Sequence, residues 1–235
     1  MIWDTIFFII LPYIAFSLAI AVGIYRSIYR PFTVTSLSSQ LLERKKLYWG
    51  SISFHYGLVT ILLAHLYALT LPKSVLWWNS VPIRLYLLEL TGLALGIFAF
   101  VGICILLWRR FSEKRVQAVT TPMDIVVLVL VFISILTGIL IASLYRFGSS
   151  WFTVIFTPYI LSMFAFKPNV GLVAPLPWLI KLHVINFFIM VAVFPFSRLI
   201  HIFTYPFQYL YRPWQIVIWN RKVKSAKKLS SAQGK

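Results

Sequence analysis

Charged and polar residues divide the chain into five long apolar runs, near 5–25, 50–71, 84–108, 124–145 and 179–203. A helix needs about 20 apolar residues to cross the roughly 30 Å hydrocarbon core of a bilayer. All five runs meet that length. They predict an all-α fold, an integral membrane five-helix bundle over residues 1–214, followed by a basic, Ser-rich cytoplasmic tail, 215–235. A further apolar stretch, 151–166, is short and is interrupted by Pro158. It reads as an interfacial or re-entrant piece rather than a sixth span. No internal repeat is visible and no helix is clearly discontinuous, which argues against a transporter.

Composition agrees with this pattern: 60% of the residues are apolar, 17% aromatic and 11% charged. Soluble domains are about half apolar and a quarter charged, so an ordinary globular domain and a disordered chain are both excluded. The formal charge is +17, from 22 Lys and Arg against 5 Asp and Glu. In a soluble chain that balance would suggest nucleic acid. Here the basic residues are islands between apolar runs, and no nucleic-acid partner is expected.

Their distribution sets an orientation. Five basic residues follow the first run, four separate the third from the fourth, and eight lie at or after the end of the fifth. Only Lys73, Arg84, Arg146, Lys167 and Lys181 fall on the other side. The positive-inside rule then places the N-terminus outside and the C-terminus in the cytoplasm. The first run has only Asp4 before it and lacks the basic flank of a secretory signal, so it is expected to remain as a span. Trp77, Trp78, Trp151, Trp178, Trp214 and Trp219 fall near the expected interfaces, as an aromatic belt would.

The chemistry sits in four histidines. His55 and His65 lie in the second run, His183 and His201 in the fifth, and none lies in a loop. Ionisable groups inside a membrane are costly and point to function. Cys104 is the only cysteine, and there is no C-x-x-C-H motif, so any cofactor must use other ligands. On straight helices the 10-residue and 18-residue spacings correspond to rises of about 15 Å and 27 Å. The latter is five whole turns, which puts His183 and His201 on one face. Antiparallel packing of the two runs pairs His55 with His201 and His65 with His183, with a kink at Pro195 helping to absorb the mismatch. Two neutral imidazoles converging in an apolar bundle suit the axial positions of an iron porphyrin. Zinc is the competing ligand reading, but it usually wants four ligands or an open water site.

At these residues the chain resembles the gamma subunit of respiratory nitrate reductase, a cytochrome b membrane anchor. The matching pieces are SSQLLERKK (38–46), FHYGLVTILLAHLYALTLP (54–72), WRRFSEKRV (108–116), TTPMDI (120–125) and KLHVINFFIMVAVFPFSRLIHIFTYPFQYL (181–210). The resemblance runs over most of residues 10–214. It implies a five-helix protein with two b-type haems, each with two axial histidines. The inner haem would take His55 and His201 and the outer haem His65 and His183. It also implies that quinol is oxidised near the outer haem. Electrons would then pass inward to an iron–sulfur beta subunit and a molybdopterin alpha subunit. Nitrate would be reduced there and not on this chain.

The quinol region departs from the family's familiar members. Tyr86 stands where they carry a Lys, and Ala64 replaces a Gly before the outer histidine. Arg84, Tyr86 and Glu89 are the polar candidates for the quinol hydroxyl. Arg109, Arg110 and Arg198 are candidates for haem propionates, since a guanidinium pairs well with a carboxylate. The alternative function is a gamma-like cytochrome b of a sulfur-metabolism or heterodisulfide-reductase-like membrane complex.

Overall fold

The computed structural model describes residues 2–30 and 45–200, and every regular element among them is helical. Five helices are long and apolar enough to cross a membrane: α1 (Ile2–Tyr29), α2 (Lys45–Thr70), α3 (Pro82–Ser112), α4 (Pro122–Leu144) and α5, whose apolar span is Trp178–Phe196. The protein is a multi-pass membrane protein. Large side chains face outward along these helices, among them Leu63, Leu90 and Leu144. That is the expected outer surface of a bundle whose solvent is lipid.

The helices start where the local sequence dictates. Pro82 and Pro122 occupy first-turn positions, where a missing N–H costs nothing. Thr121 caps α4 through a reciprocal pair: its hydroxyl accepts from the Asp124 N–H at 3.3 Å, and the Asp124 carboxylate accepts from the Thr121 N–H at 3.0 Å.

Packing runs from α2 to α3, α3 to α4, α4 to α5 and α5 to α1. The α2–α3 contact is the closest, because small residues line it. A Cβ on Gly57 would lie 2.6 Å from the Leu95 carbonyl oxygen, and one on Gly102 would collide with the Phe54 nitrogen. Small residues let membrane helices approach backbone to backbone. On α2 this face is Gly50, Ser53 and Gly57, all buried. His55, two residues past Ser53, points about 200° away from it.

Two features differ from the sequence expectation. The fifth run was expected to be one helix over 179–203, but the α-helix covers only Trp178–Val193. A 3-10 turn, Phe194–Phe196, follows, then Ser197 in extended conformation (φ −100°, ψ 177°) and a second 3-10 turn. Pro195 removes an N–H and clashes with the preceding turn. The Arg26 guanidinium on α1 donates to the freed Pro195 carbonyl, and to that of Ser197 at 3.2 Å. The straight-helix relation of His183 to His201 therefore does not hold. Second, Trp151 is not an exposed belt residue. Its indole packs beside Ile141, Leu179 and Ile180, whereas Trp77, Trp78 and Trp178 are exposed. Trp214, Trp219 and the tail lie outside the described residues.

The 148–164 stretch is helical and is not among the candidate spans. It contains a π-helical turn, Phe152–Phe156. Its buried side chains Phe156, Tyr159, Ile160 and Met163 pack against Phe8, Val184 and Phe188. The Tyr159 hydroxyl donates to the Phe8 carbonyl at 2.8 Å, and the Tyr13 hydroxyl to that of Met163 at 3.0 Å. These bonds fix the segment to α1 and bring Phe152 against the ring of His65.

Candidate functional site

Three of the four histidines lie among the described residues; His201 does not. Each of the three has a defined Nδ1 partner. His55 Nδ1 lies 2.8 Å from the Ser51 carbonyl oxygen, with the Ser51 hydroxyl at 3.1 Å. His65 Nδ1 lies 2.8 Å from the Ile61 carbonyl oxygen. A carbonyl only accepts, so the proton sits on Nδ1 in both.

His183 is held differently. Its Nδ1 lies 2.8 Å from the Thr137 hydroxyl of α4. That hydroxyl already donates to the Ile133 carbonyl at 2.6 Å, so it accepts from His183. In all three rings Nε2 has no hydrogen-bond partner among the described residues. A neutral imidazole whose Nδ1–H is anchored is the form that ligates a metal through Nε2. The donor set fits axial ligation of a haem iron. No group of three or more His, Cys, Asp or Glu side chains able to hold a metal occurs among the described residues.

His65 lies on α2 with its ring edge-on to Phe152, centroids 5.2 Å apart at 90°. Phe152 in turn packs against the core cluster that contains Val184, the residue after His183. Gly138, next to Thr137, lies against the His183 ring, with Cε1 3.4 Å from where a Cβ would stand. The structure thus brings His65 and His183 into one region, lined by α4 and the π-helical turn.

The basic candidates are already engaged. Arg110 Nη1 lies 3.5 Å from one Asp124 oxygen, and Arg198 Nε lies 3.3 Å from the other. Arg110 also donates to Thr120 Oγ1 at 3.1 Å. Arg109 is buried on the same turn of α3. Two guanidiniums share one carboxylate. Asp124 also caps α4. Asp124→Ala is expected to cost about 1–3 kcal/mol, from the lost cap and the lost ion pairs. Thermal unfolding in detergent would read it; an unchanged midpoint would remove Asp124 from that role.

The quinol candidates divide by partner. The Arg84 guanidinium lies over the rings of Trp77 and Trp78, at 5.1 and 5.6 Å. Glu89 accepts from the Gly148 N–H at 3.2 Å, the Ser149 N–H at 2.9 Å and the Ser149 hydroxyl at 2.6 Å. It locks the turn at Phe147, whose φ of 65° is costly for a side chain of that size. Tyr86 is exposed and meets the Phe147 ring edge-on at 6.1 Å. Its hydroxyl has no hydrogen-bond partner among the described residues. Ala64 is exposed beside His65.

Sequence reasoning missed Thr137, Ser134 and Asn186. The Asn186 amide donates to the Leu130 carbonyl at 2.9 Å and also reaches Ser134 Oγ. The available signal was three polar residues at helical spacing inside apolar runs, with Asn186 one turn beyond His183. Asn79 was missed as well. It donates to the Ser149 and Ser150 hydroxyls at 2.9 and 3.0 Å, and its Oδ1, like Trp151 Nε1, is buried without a hydrogen-bond partner among the described residues.

Five apolar helices, two of which carry anchored imidazoles, define a polytopic membrane protein with a donor set suited to haem. The chain belongs to the nitrate reductase gamma subunit family, whose pattern it matches over residues 4–220. It is 32% identical over 211 residues to the nitrate reductase gamma chain of Bacillus subtilis (strain 168), covering 88% of this chain and 94% of that one. Against the respiratory nitrate reductase 1 gamma chain of Escherichia coli (strain K12), identity is 30% over 216 residues, covering 90% and 95%. A more distant relative is the Hdr-like menaquinol oxidoreductase cytochrome b-like subunit of Archaeoglobus profundus, 26% identical over 168 residues and covering 68% and 48%. The chain is therefore an integral membrane subunit of a nitrate reductase, an oxidoreductase complex with further subunits.

Proposed function

We propose that this chain is the quinol-oxidising cytochrome b subunit of its complex, with one b-type haem held by His65 and His183 and a second by His55 and His201. The observation that carries the proposal is the shared tautomer: three imidazoles with Nδ1–H anchored and Nε2 unpartnered. When bound, the haems supply one-electron transfer between the two membrane faces.

The protein's own residues do the rest. The imidazoles hold and orient the iron centres, and the apolar helices exclude water from them. Quinol approaches beside His65 at the outer face and meets the Tyr86 hydroxyl. Arg84 and Glu89 shape the walls from their Trp and Ser149 contacts. Each quinol gives up two electrons inward and two protons outward. Moving each charge against 100 mV costs about 2.3 kcal/mol, which the redox drop must exceed. Arg109, Arg110 and Arg198 lie together at one end of the bundle around Asp124 and offer guanidinium contacts to haem propionates. An iron–sulfur beta subunit and a molybdopterin alpha subunit dock on the basic cytoplasmic face, and the N-terminus lies outside.

Tyr86→Phe removes the one unpartnered hydroxyl among these candidates. A single hydrogen bond contributes about 0.5–1.5 kcal/mol, so the KM for quinol is expected to rise roughly three- to tenfold at unchanged haem content. An unchanged KM would place the quinol elsewhere.

A second reading takes its support from the archaeal relative: the same redox chemistry, serving a heterodisulfide-reductase-like complex. The subunits that co-purify with the chain decide between them. Molybdopterin and ferredoxin-like chains support nitrate reduction; dithiol or sulfite-reductase subunits overturn it.

A further inference from the structure

The three described histidines are not anchored alike. His55 and His65 each use the carbonyl four residues back on their own helix, at 2.8 Å. Any helix offers such an acceptor. His183 instead reaches across to another helix, to a buried threonine hydroxyl. Its approach is built: Gly138 leaves room for the ring edge, and Asn186 one turn further on ties the same two helices at Leu130 and Ser134.

We propose that Thr137 is a positioning residue for His183, fixing the plane of its ring and the electron density it offers to the outer haem iron. The inference rests on His183 ligating that haem, as proposed above. The Thr137 proton goes to the Ile133 carbonyl, so the hydroxyl can only accept from the imidazole. An acceptor on Nδ1–H makes the imidazole a stronger donor through Nε2. A stronger donor favours the oxidised iron and lowers its potential.

The test uses the purified full chain and two substitutions at one position. Thr137→Val keeps the shape and removes the acceptor; Thr137→Ser keeps the hydroxyl. Haem content, the midpoint potential of each haem and the low-temperature paramagnetic resonance signal are measured together. Thr137→Val is expected to retain both haems and shift the outer haem towards reduction. At fixed potential the reduced-to-oxidised ratio should rise roughly three- to tenfold, a tenfold change being 59 mV for one electron. The outer-haem resonance should move with ring orientation, the inner haem should not move, and Thr137→Ser should restore the wild-type values. Thr137→Ala serves the same purpose if the valine variant does not accumulate. Wild-type potential and resonance in an acceptor-less variant, or an equal shift at both haems, would overturn the proposal. A wild-type chain without b-type haem would overturn the underlying reading as well, and is read from the haem content alone.

Discussion

His183→Ala is expected to remove one of two b-type haems while leaving the bundle folded, and to abolish reduction of the remaining haem by quinol. The imidazole sits on α5 between Thr137 and Gly138 of α4, and the helix around it is held by contacts that do not involve the ring. Val184 and Phe188 pack against the 148–164 segment, and Asn186 bonds Leu130. Partners one step removed from a metal are worth about 10–100-fold in affinity or activity. Loss of the ligand itself should exceed that. Haem per folded chain and quinol-driven absorbance changes read the two effects separately. Retention of both haems in the variant would dismiss His183 as a ligand.

Gly57→Ala should act through a different link and reach both haems. Its new methyl group would stand 2.6 Å from the Leu95 carbonyl oxygen and 2.8 Å from the Ala99 nitrogen. Both are backbone atoms, so no side-chain rotation relieves the overlap and α2 must move off α3. Overpacking of this kind costs about 1–3 kcal/mol and occasionally more. Because α2 carries His55 and His65, the expected result is low accumulation and loss of both haems together. Gly92→Ala is the control, since nothing lies within 4 Å of its added Cβ. If Gly57→Ala retains haem and stability as Gly92→Ala does, the close α2–α3 approach is not what places the histidines.

The five spans were legible because a run of about 20 apolar residues has few other uses. The helices of the third and fourth runs begin at Pro82 and Pro122, two residues before the apolar runs themselves, because hydropathy does not register a first-turn proline or the Thr121–Asp124 cap. The break after Val193 was only half legible. Pro195 announces a kink, but a chain extended at Ser197 depends on Arg26, about 170 residues earlier, supplying donors to the exposed carbonyls. Glu89 is a similar case. It read as a membrane carboxylate near the quinol, but its three donors lie 59 and 60 residues downstream. Thr137 was hidden for a local reason. A threonine in a helix ordinarily satisfies itself on its own preceding turn; it does so here while also accepting from His183. Pairwise tertiary contacts of this kind leave no periodicity in the sequence.

The central claim is that the chain carries two bis-histidine b haems that take electrons from quinol. Haem quantitation of the purified wild-type chain, combined with reduction by added quinol in the same sample, tests it most directly. The expected result is two b-type haems per chain, both reduced by quinol. No b-type haem, or haem that a chemical reductant reduces and quinol does not, would contradict it.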